Sequence, residues 1–155
     1  MLLADIDADL KNQALGLLAR REHSRRELAD KLRRKTDNPE QLETLLHQLQ
    51  QQGLQSDERF AESFIRARFA RGQGPIRIQQ ELRQKGVPAE TVTEAMESQQ
   101  LDWFEAAKNT RDRRFGLAAP QDRKEYARQM RFLLYRGYSG DQAQEALQAR
   151  PDDED

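Results

Sequence analysis

The glycines of "FARGQGPIRIQQELRQKGV" (residues 69–87) are the first place where this chain could hold a ligand. Gly72-x-Gly74 has the spacing that lets backbone amides cradle a phosphate, but a nucleotide loop needs a buried strand before it and a third glycine where Arg77 stands. Neither is found, and no Gly-Lys-Ser/Thr occurs anywhere in the chain. Helix punctuation is the better reading: Pro75 opens a helix just after Gly74, at a first-turn position where its missing N–H costs nothing. The two histidines, His23 and His47, lie 24 residues apart with no cysteine and no Glu-x-x-His pattern, which argues against a zinc site. They are expected as solvated helix-end or surface residues. Glu90/Glu94 and Glu94/Glu97 fall on faces expected to be exposed, where nothing would shift a carboxyl pKa. No catalytic residue, cofactor or metal is expected, and the chain is read as a non-enzyme.

Charge placement is more informative than any of these motifs. The formal net charge is −1, with 26 Lys+Arg against 27 Asp+Glu. Residues 14–36 nevertheless carry eight bases against three acids, 59–86 seven against two, and 103–137 nine against four, so each block is +5. The remainder holds two bases and 18 acids, a sum of −16, and ends in an acidic tail, Asp152 to Asp155.

At 155 residues, 36% hydrophobic and 34% charged, the chain fits one ordinary domain or several very small ones. It has no cysteine, no apolar run of the ~18 residues that span a membrane, and no basic-apolar leader over Met1 to Gln13. A soluble cytoplasmic protein without disulfides or membrane contact is expected.

The elements that carry these charges are helical, because Ala, Leu, Gln, Glu, Lys and Arg dominate and β-branched residues are scattered. Ser24-x-x-Glu27, Asn38-Pro39-x-Gln41, Asp102-x-x-Glu105 and Ser139-x-x-Gln142 each read as a helix start, with a side-chain acceptor for a free N–H and a reciprocating group three residues on. Gly86 and Gly137 read as left-handed stops. Nine helices are predicted, at 8–20, 24–35, 39–52, 57–71, 75–85, 89–99, 103–115, 121–136 and 140–149.

These helices repeat. Aligned without gaps, "LRRKTDNPEQLETLL" (32–46), "LRQKGVPAETVTEAM" (82–96) and "LLYRGYSGDQAQEAL" (133–147) superimpose Leu32, Leu82 and Leu133, and later Leu46, Met96 and Leu147. The stop falls at Thr36, Gly86 and Gly137, each preceded by a base. The period is about 50 residues, three helices per repeat. This makes the fold all-α, with repeats at 8–54, 55–101 and 102–150 and an acidic tail at 151–155. Such small repeats bury little alone, so stacking supplies part of their stability. The aromatics, Phe60, Phe64 and Phe69 in the second repeat and Trp103, Phe104, Phe115, Tyr126, Phe132, Tyr135 and Tyr138 in the third, are assigned to that packing.

The basic faces remain as candidate contact surfaces. Leu28 and Leu32 define the inward side of their helix, which turns Arg26 and Arg33 outward, and Arg83 repeats the Arg33 position beside Leu82. The third repeat has Leu134 there instead. From charge placement alone the candidates are Arg25, Arg26, Arg33, Arg34, Arg71, Arg77, Arg83, Arg128 and Arg131. A basic residue at a helix end also has a purely structural explanation in the helix dipole.

The stretch "LQSDERFAESFIRARFARGQGPIRIQQELRQKGV" (54–87), flanked by "LLARREHSRRELADKLRRK" (17–35) and "RQMRFLLYRGYSGDQAQEAL" (128–147), resembles the RecX family of bacterial recombination regulators, from about Ala14 to Leu147. The resemblance implies three tandem three-helix repeats in an elongated, curved array, acting as a monomer on the RecA recombinase. It further implies binding to RecA and to the RecA–DNA filament. Filament extension, ATP hydrolysis, strand exchange and the coprotease activity behind the SOS response would thereby be inhibited, with weak direct DNA binding as a possible addition. Two other readings of the residues stay open: an independent DNA-binding protein of helix-turn-helix outline, and a helical-repeat scaffold for another partner. The near-neutral total and a pI of about 6.2 count against a free duplex binder.

Overall fold

The computed structural model describes residues 7–148; the first six residues and the acidic tail assigned to 151–155 lie outside them. Among the described residues there are nine helices and no strand: α1 (Ala8–Arg20), α2 (Arg25–Leu32), α3 (Pro39–Gln51), α4 (Asp57–Ala70), α5 (Pro75–Gln84), α6 (Ala89–Gln99), α7 (Trp103–Phe115), α8 (Arg123–Arg136) and α9 (Gly140–Ala146).

The helix starts follow from the local chemistry. Ser24 and Ser139 close full capping boxes with Glu27 and Gln142, while Asn38 and Asp102 accept from the backbone N–H three residues on. Asp122 caps α8 in the same way, so that helix opens two residues later than predicted. At the other ends the three repeats differ. Gly86 and Gly137 take the left-handed conformation, φ 84° and 104°, that a glycine stop requires. Thr36 does not: its φ of −145° is extended, and Arg33–Lys35 wind into a 3₁₀ turn before it. A β-branched residue cannot enter the left-handed region cheaply, so the first repeat ends its second helix by tightening it.

The described chain divides into two compact units, and the division runs through α4, α5 and α6. The N-terminal unit holds the chain up to Phe64 together with Leu82–Ala95. Its core is the leucine set that faces inward from α1, α2 and α3: Leu10, Leu28, Leu32, Leu42, Leu45, Leu46 and Leu49, with Ala14. Burying each such leucine contributes roughly 1.5–3 kcal/mol. The C-terminal unit holds Ile65–Glu81 and the chain from Met96. Small residues, Ala106, Ala107, Ala143 and Ala146, let α7 and α9 approach, with Leu133, Tyr138 and Leu147 filling the space between.

One joint recurs in both units. In the N-terminal unit the Ser24 hydroxyl at the start of α2 donates to the Lys85 carbonyl at 2.8 Å, and the Arg26 stem lies over Gly86. Fifty residues on, in the C-terminal unit, the Gly74 N–H donates to the Arg136 carbonyl at 2.8 Å and the Ile76 N–H to the Gly137 carbonyl at 2.9 Å. A helix start thus seats on the stop of the following repeat each time. Gly74 is therefore more than punctuation: a Cβ there would lie 2.2 Å from the Gly137 carbonyl carbon.

Candidate functional site

The residues first weighed for chemistry are built into the structure. Gly74 sits at the backbone contact just described. His23 corrects the sequence reading, because it is 1% exposed rather than solvated. The chain turns inward between α1 and α2, where the ring finds two partners: Nδ1–H donates to the Arg21 carbonyl at 3.0 Å, and Nε2 accepts from Lys31 Nζ at 3.0 Å. Burial pushes its pKa below the ordinary imidazole value, and the Arg21 and Lys31 charges push the same way; the bond to the Arg21 carbonyl opposes them. Beside it, burial would raise the Glu27 carboxyl, but Arg21 at 3.2 Å, the Ser24 N–H and Lys85 at 3.4 Å outweigh that and hold it below the ordinary value. His47 and the glutamates at 90, 94 and 97 are exposed, as expected.

The nine candidate arginines fall into two groups. In the N-terminal unit Arg26, Arg33, Arg34 and Arg83 are exposed, and Leu28, Leu32 and Leu82 beneath them are buried, which is the outward placement predicted. Arg33 makes an ion pair with Asp30 at 3.3 Å, both side chains well exposed. Arg25 is different: its guanidinium is tied to Glu43 on α3, and its N–H donates to Asp57. Its charge is thus partly spent on holding α2 in place.

In the C-terminal unit Arg71, Arg128 and Arg131 are exposed, while Arg77 is half-buried between Glu81 at 3.1 Å and the Tyr135 ring at 5.6 Å. Arg128 pairs with Glu125 at 3.3 Å and lies 5.1 Å over Phe115. The aromatics are not all packing residues. Phe104 and Tyr126 are exposed and Tyr135 is 77% exposed, against the assignment made from the sequence.

Two features escaped the sequence reading. Arg111, counted there as part of a basic block, is 2% exposed; its guanidinium donates to Gln129 and to the carbonyls of Leu117 and Ala118, and pairs with Asp112. It braces the α7–α8 connection. The second is a groove of ≈350 Å³ in the same unit, where Arg71 meets Arg113, Arg114 and Arg136 around Gly72, Thr110 and Phe132. The signal was present as the i, i+3, i+4 spacing of Thr110, Arg113 and Arg114 and the i, i+4 spacing of Phe132 and Arg136.

Among the described residues no group of three or more His, Asp or Glu comes together as a metal site would require, and no helix is long and apolar enough to cross a membrane.

Comparison with known proteins places this arrangement. Models of the first, second and third three-helix domains of RecX match residues 11–49, 56–96 and 100–147. Two relatives are each named Regulatory protein RecX. That of Halorhodospira halophila is 47% identical over 146 residues, 94% of this chain and 91% of its own. That of Pseudomonas savastanoi pv. phaseolicola is 39% identical over 99% of both chains. Among solved structures, a regulatory protein RecX superimposes with a TM-score of 0.76 at 26% identity, covering 91% of this chain and 72% of that one. RecX from Lactobacillus salivarius shares the fold, with a TM-score of 0.77 at 24% identity over 93% of this chain and 96% of its own. With all three domains matched in order and close relatives aligned over almost its whole length, this chain belongs to the RecX family.

Proposed function

We propose that this protein is a non-enzymatic regulator of the RecA recombinase, binding RecA and its nucleoprotein filament in the cytoplasm. On this reading it limits filament extension, and with it ATP hydrolysis, strand exchange and the coprotease activity that triggers the SOS response. The observation that carries the reading is the ordered match of three RecX domains across residues 11–147.

Physical features support it. The repeats proposed at 8–54, 55–101 and 102–150 would act as linked modules of a monomer, each bringing a +5 block of charge to a partner that is itself repetitive and carries DNA phosphate. Exposed Arg26, Arg33, Arg34 and Arg83 are the contact residues proposed in the N-terminal unit, and Arg71, Arg128 and Arg131 in the C-terminal unit. Arg25 and Arg77 keep their place with a smaller share, since each is half-buried as well as paired with a carboxylate, whereas Arg33 and Arg128 are paired but exposed. The non-enzymatic reading is supported by the structural use made of His23 and Gly74.

DNA-dependent ATP hydrolysis by RecA, followed while this protein is titrated in, tests the proposal. Inhibition is expected well below one molecule per RecA subunit, because one bound molecule would act on a filament of many. A requirement for stoichiometric amounts would replace filament blocking with sequestration of free RecA.

A further inference from the structure

The four-arginine groove of the C-terminal unit has no counter-charge among the residues that line it. We propose that it is the docking site of an acidic segment of this same chain, Asp152 to Asp155, which seats there as an intramolecular, autoinhibitory contact. The contact stands without the recombinase reading; only its regulatory consequence rests on that reading.

The unmatched charge is the first argument. Eight arginines elsewhere in the chain, among them Arg21, Arg33, Arg59 and Arg111, hold carboxylates within 3.5 Å. Among the described residues none of Arg71, Arg113, Arg114 and Arg136 makes such a pair, and no Asp or Glu lines the groove. Like charges gathered without counter-ions repel one another, and a run of carboxylates in the groove relieves that repulsion. Residues 149–155 contain such a run, four acids in succession against a single base, Arg150. Four carboxylates then meet four guanidinium groups, and each guanidinium fork is shaped to take both oxygens of a carboxylate.

The second argument is reach. The Tyr138 hydroxyl shares a 2.8 Å hydrogen bond with Thr110, a residue of the groove wall, and α9 begins two residues after Tyr138. The seven residues of α9 rise ~1.5 Å each, so its end stands at most ~10 Å farther from that wall than its start. Counted from Leu147, Asp152 is five residues on and Asp155 eight, an extended reach of ~17 and ~26 Å at ~3.3 Å per residue. The acids therefore have chain enough to return to the groove. So short a tether holds them at a local concentration on the order of mM, at which contacts that are weak one by one become populated.

The third argument is preorganisation. Arg136 is fixed from behind: its Nε–H donates to the Gly72 carbonyl at 3.0 Å and its Nη2 to the Arg71 carbonyl at 2.6 Å. Two of its five N–H groups are used this way, which leaves three for carboxylate oxygens. Arg136 also lies 5.7 Å from the Phe132 centroid, and Arg114 lies 5.9 Å from Phe132 and 5.5 Å from Phe115. The rings hold these guanidinium groups without neutralising them. A volume of ≈350 Å³ admits a few side chains of an extended segment but not a helix, which is ~10–12 Å across. Arg71 is also among the contacts proposed for the RecA filament, so a seated segment withholds that guanidinium until a partner displaces it.

The test uses the full-length chain, which has no cysteine, so that Pro151→Cys accepts a single nitroxide label beside the acids. Paramagnetic broadening of backbone amide signals then reports where the segment lies. The signals of Gly72, Thr110, Arg113 and Arg114 are expected to broaden at ~10 mM salt and to recover at ~1 M, where the screening length falls from ~30 to ~3 Å. Adding Asp152→Asn, Asp153→Asn, Glu154→Gln and Asp155→Asn changes only residues outside the described fold and should abolish the broadening. Arg113→Gln/Arg114→Gln should abolish it too, whereas Arg123→Gln/Lys124→Gln, at the exposed start of α8 and outside the groove, should not. Equal broadening with the acidic and the neutralised segment, or loss of it in both arginine pairs alike, overturns the proposal. Broadening that appears when nitroxide-labelled chain is mixed with isotope-enriched, unlabelled chain assigns the segment to a second copy and overturns the intramolecular contact. For the regulatory consequence, the neutralised chain without label should bind the RecA filament at least ~3-fold more tightly, the effect of about one exposed ion pair released. That gain should vanish in the Arg113→Gln/Arg114→Gln background. A gain that persists there comes from net charge alone, and no gain at all means nothing is withheld; either result, with the broadening intact, overturns the autoinhibition separately from the contact.

Discussion

Gly74→Ala perturbs the joint of the C-terminal unit at its tightest point. The added Cβ would stand 2.2 Å from the Gly137 carbonyl carbon, 2.3 Å from the Tyr138 nitrogen and 2.4 Å from the Gly137 oxygen. Non-bonded heavy atoms settle at ~3.5–4.0 Å, and since all three neighbours are backbone, the segments must part by roughly 1 Å or more. Parting them breaks the Gly74–Arg136 and Ile76–Gly137 hydrogen bonds, now 2.8 and 2.9 Å. Each bond contributes ~0.5–1.5 kcal/mol net, and stranding its buried groups costs ~1–3 kcal/mol, so a loss of ~2–5 kcal/mol is expected. For a chain of this size that lowers Tm by ~5–15 °C. Thermal melting followed by circular dichroism measures it, with Gly16→Ala as the control. Gly16 lies inside α1 with nothing within 4 Å of an added Cβ, and alanine there should stabilise by up to ~1 kcal/mol. A Gly74→Ala protein that melts within ~2 °C of wild type would refute the reasoning.

Acid should destabilise the N-terminal unit in two stages. The lowered pKa of His23 means that the unfolded chain holds the proton more tightly; its stabilisation is complete above the ordinary imidazole value of about 6.5 and is lost as pH falls through that value toward the folded one. Glu27, whose folded pKa is depressed, adds stability that is present above the ordinary carboxyl value and lost as pH falls through the folded one. Melting temperature against pH should decline from about pH 6.5 downward, and His23→Gln should flatten the upper part; an unchanged profile in that variant would assign the decline elsewhere. Leu82→Ala opens a cavity at a fully buried position and should cost ~2–5 kcal/mol in urea unfolding. Arg33→Glu/Arg83→Glu should cost no more than ~0.5 kcal/mol at each site, because the Arg33–Asp30 pair is exposed. The same double variant should bind the RecA filament at least ~10-fold more weakly, and unchanged binding would show that these two arginines only solvate their helices.

What the sequence made legible was what local chemistry decides. Ser24 and Ser139 bond groups within three residues, so their capping boxes are written in the spacing, and α1, α6 and α7 begin and end at the predicted residues. Gly137 is visible as a stop because only glycine takes that φ without strain. The repeat alignment places the stop at Thr36, and helical structure does end at Lys35, but it says nothing of the stop's form, which is extended there and left-handed at Gly86 and Gly137. His23 was misread because its surroundings are assembled from outside its own segment: Lys31 lies eight residues away, and the Gln55 side chain, which donates to the His23 carbonyl, lies 32 away. The groove was missed for the same reason, since its arginines come from the end of α4, from α7 and from α8. Charge counting also cannot tell Arg111, consumed inside the C-terminal unit, from Arg113 and Arg114 beside it.

A three-way binding titration tests most directly whether the RecA filament is the partner. The full-length protein is titrated against single-stranded DNA alone, RecA alone, and the RecA–ATP–DNA filament, under one salt condition. If linked repeats engage a repetitive partner together, binding to the filament should be at least ~10-fold tighter than to either component. Equal affinity for bare DNA and filament, or no binding to the filament, would contradict the account.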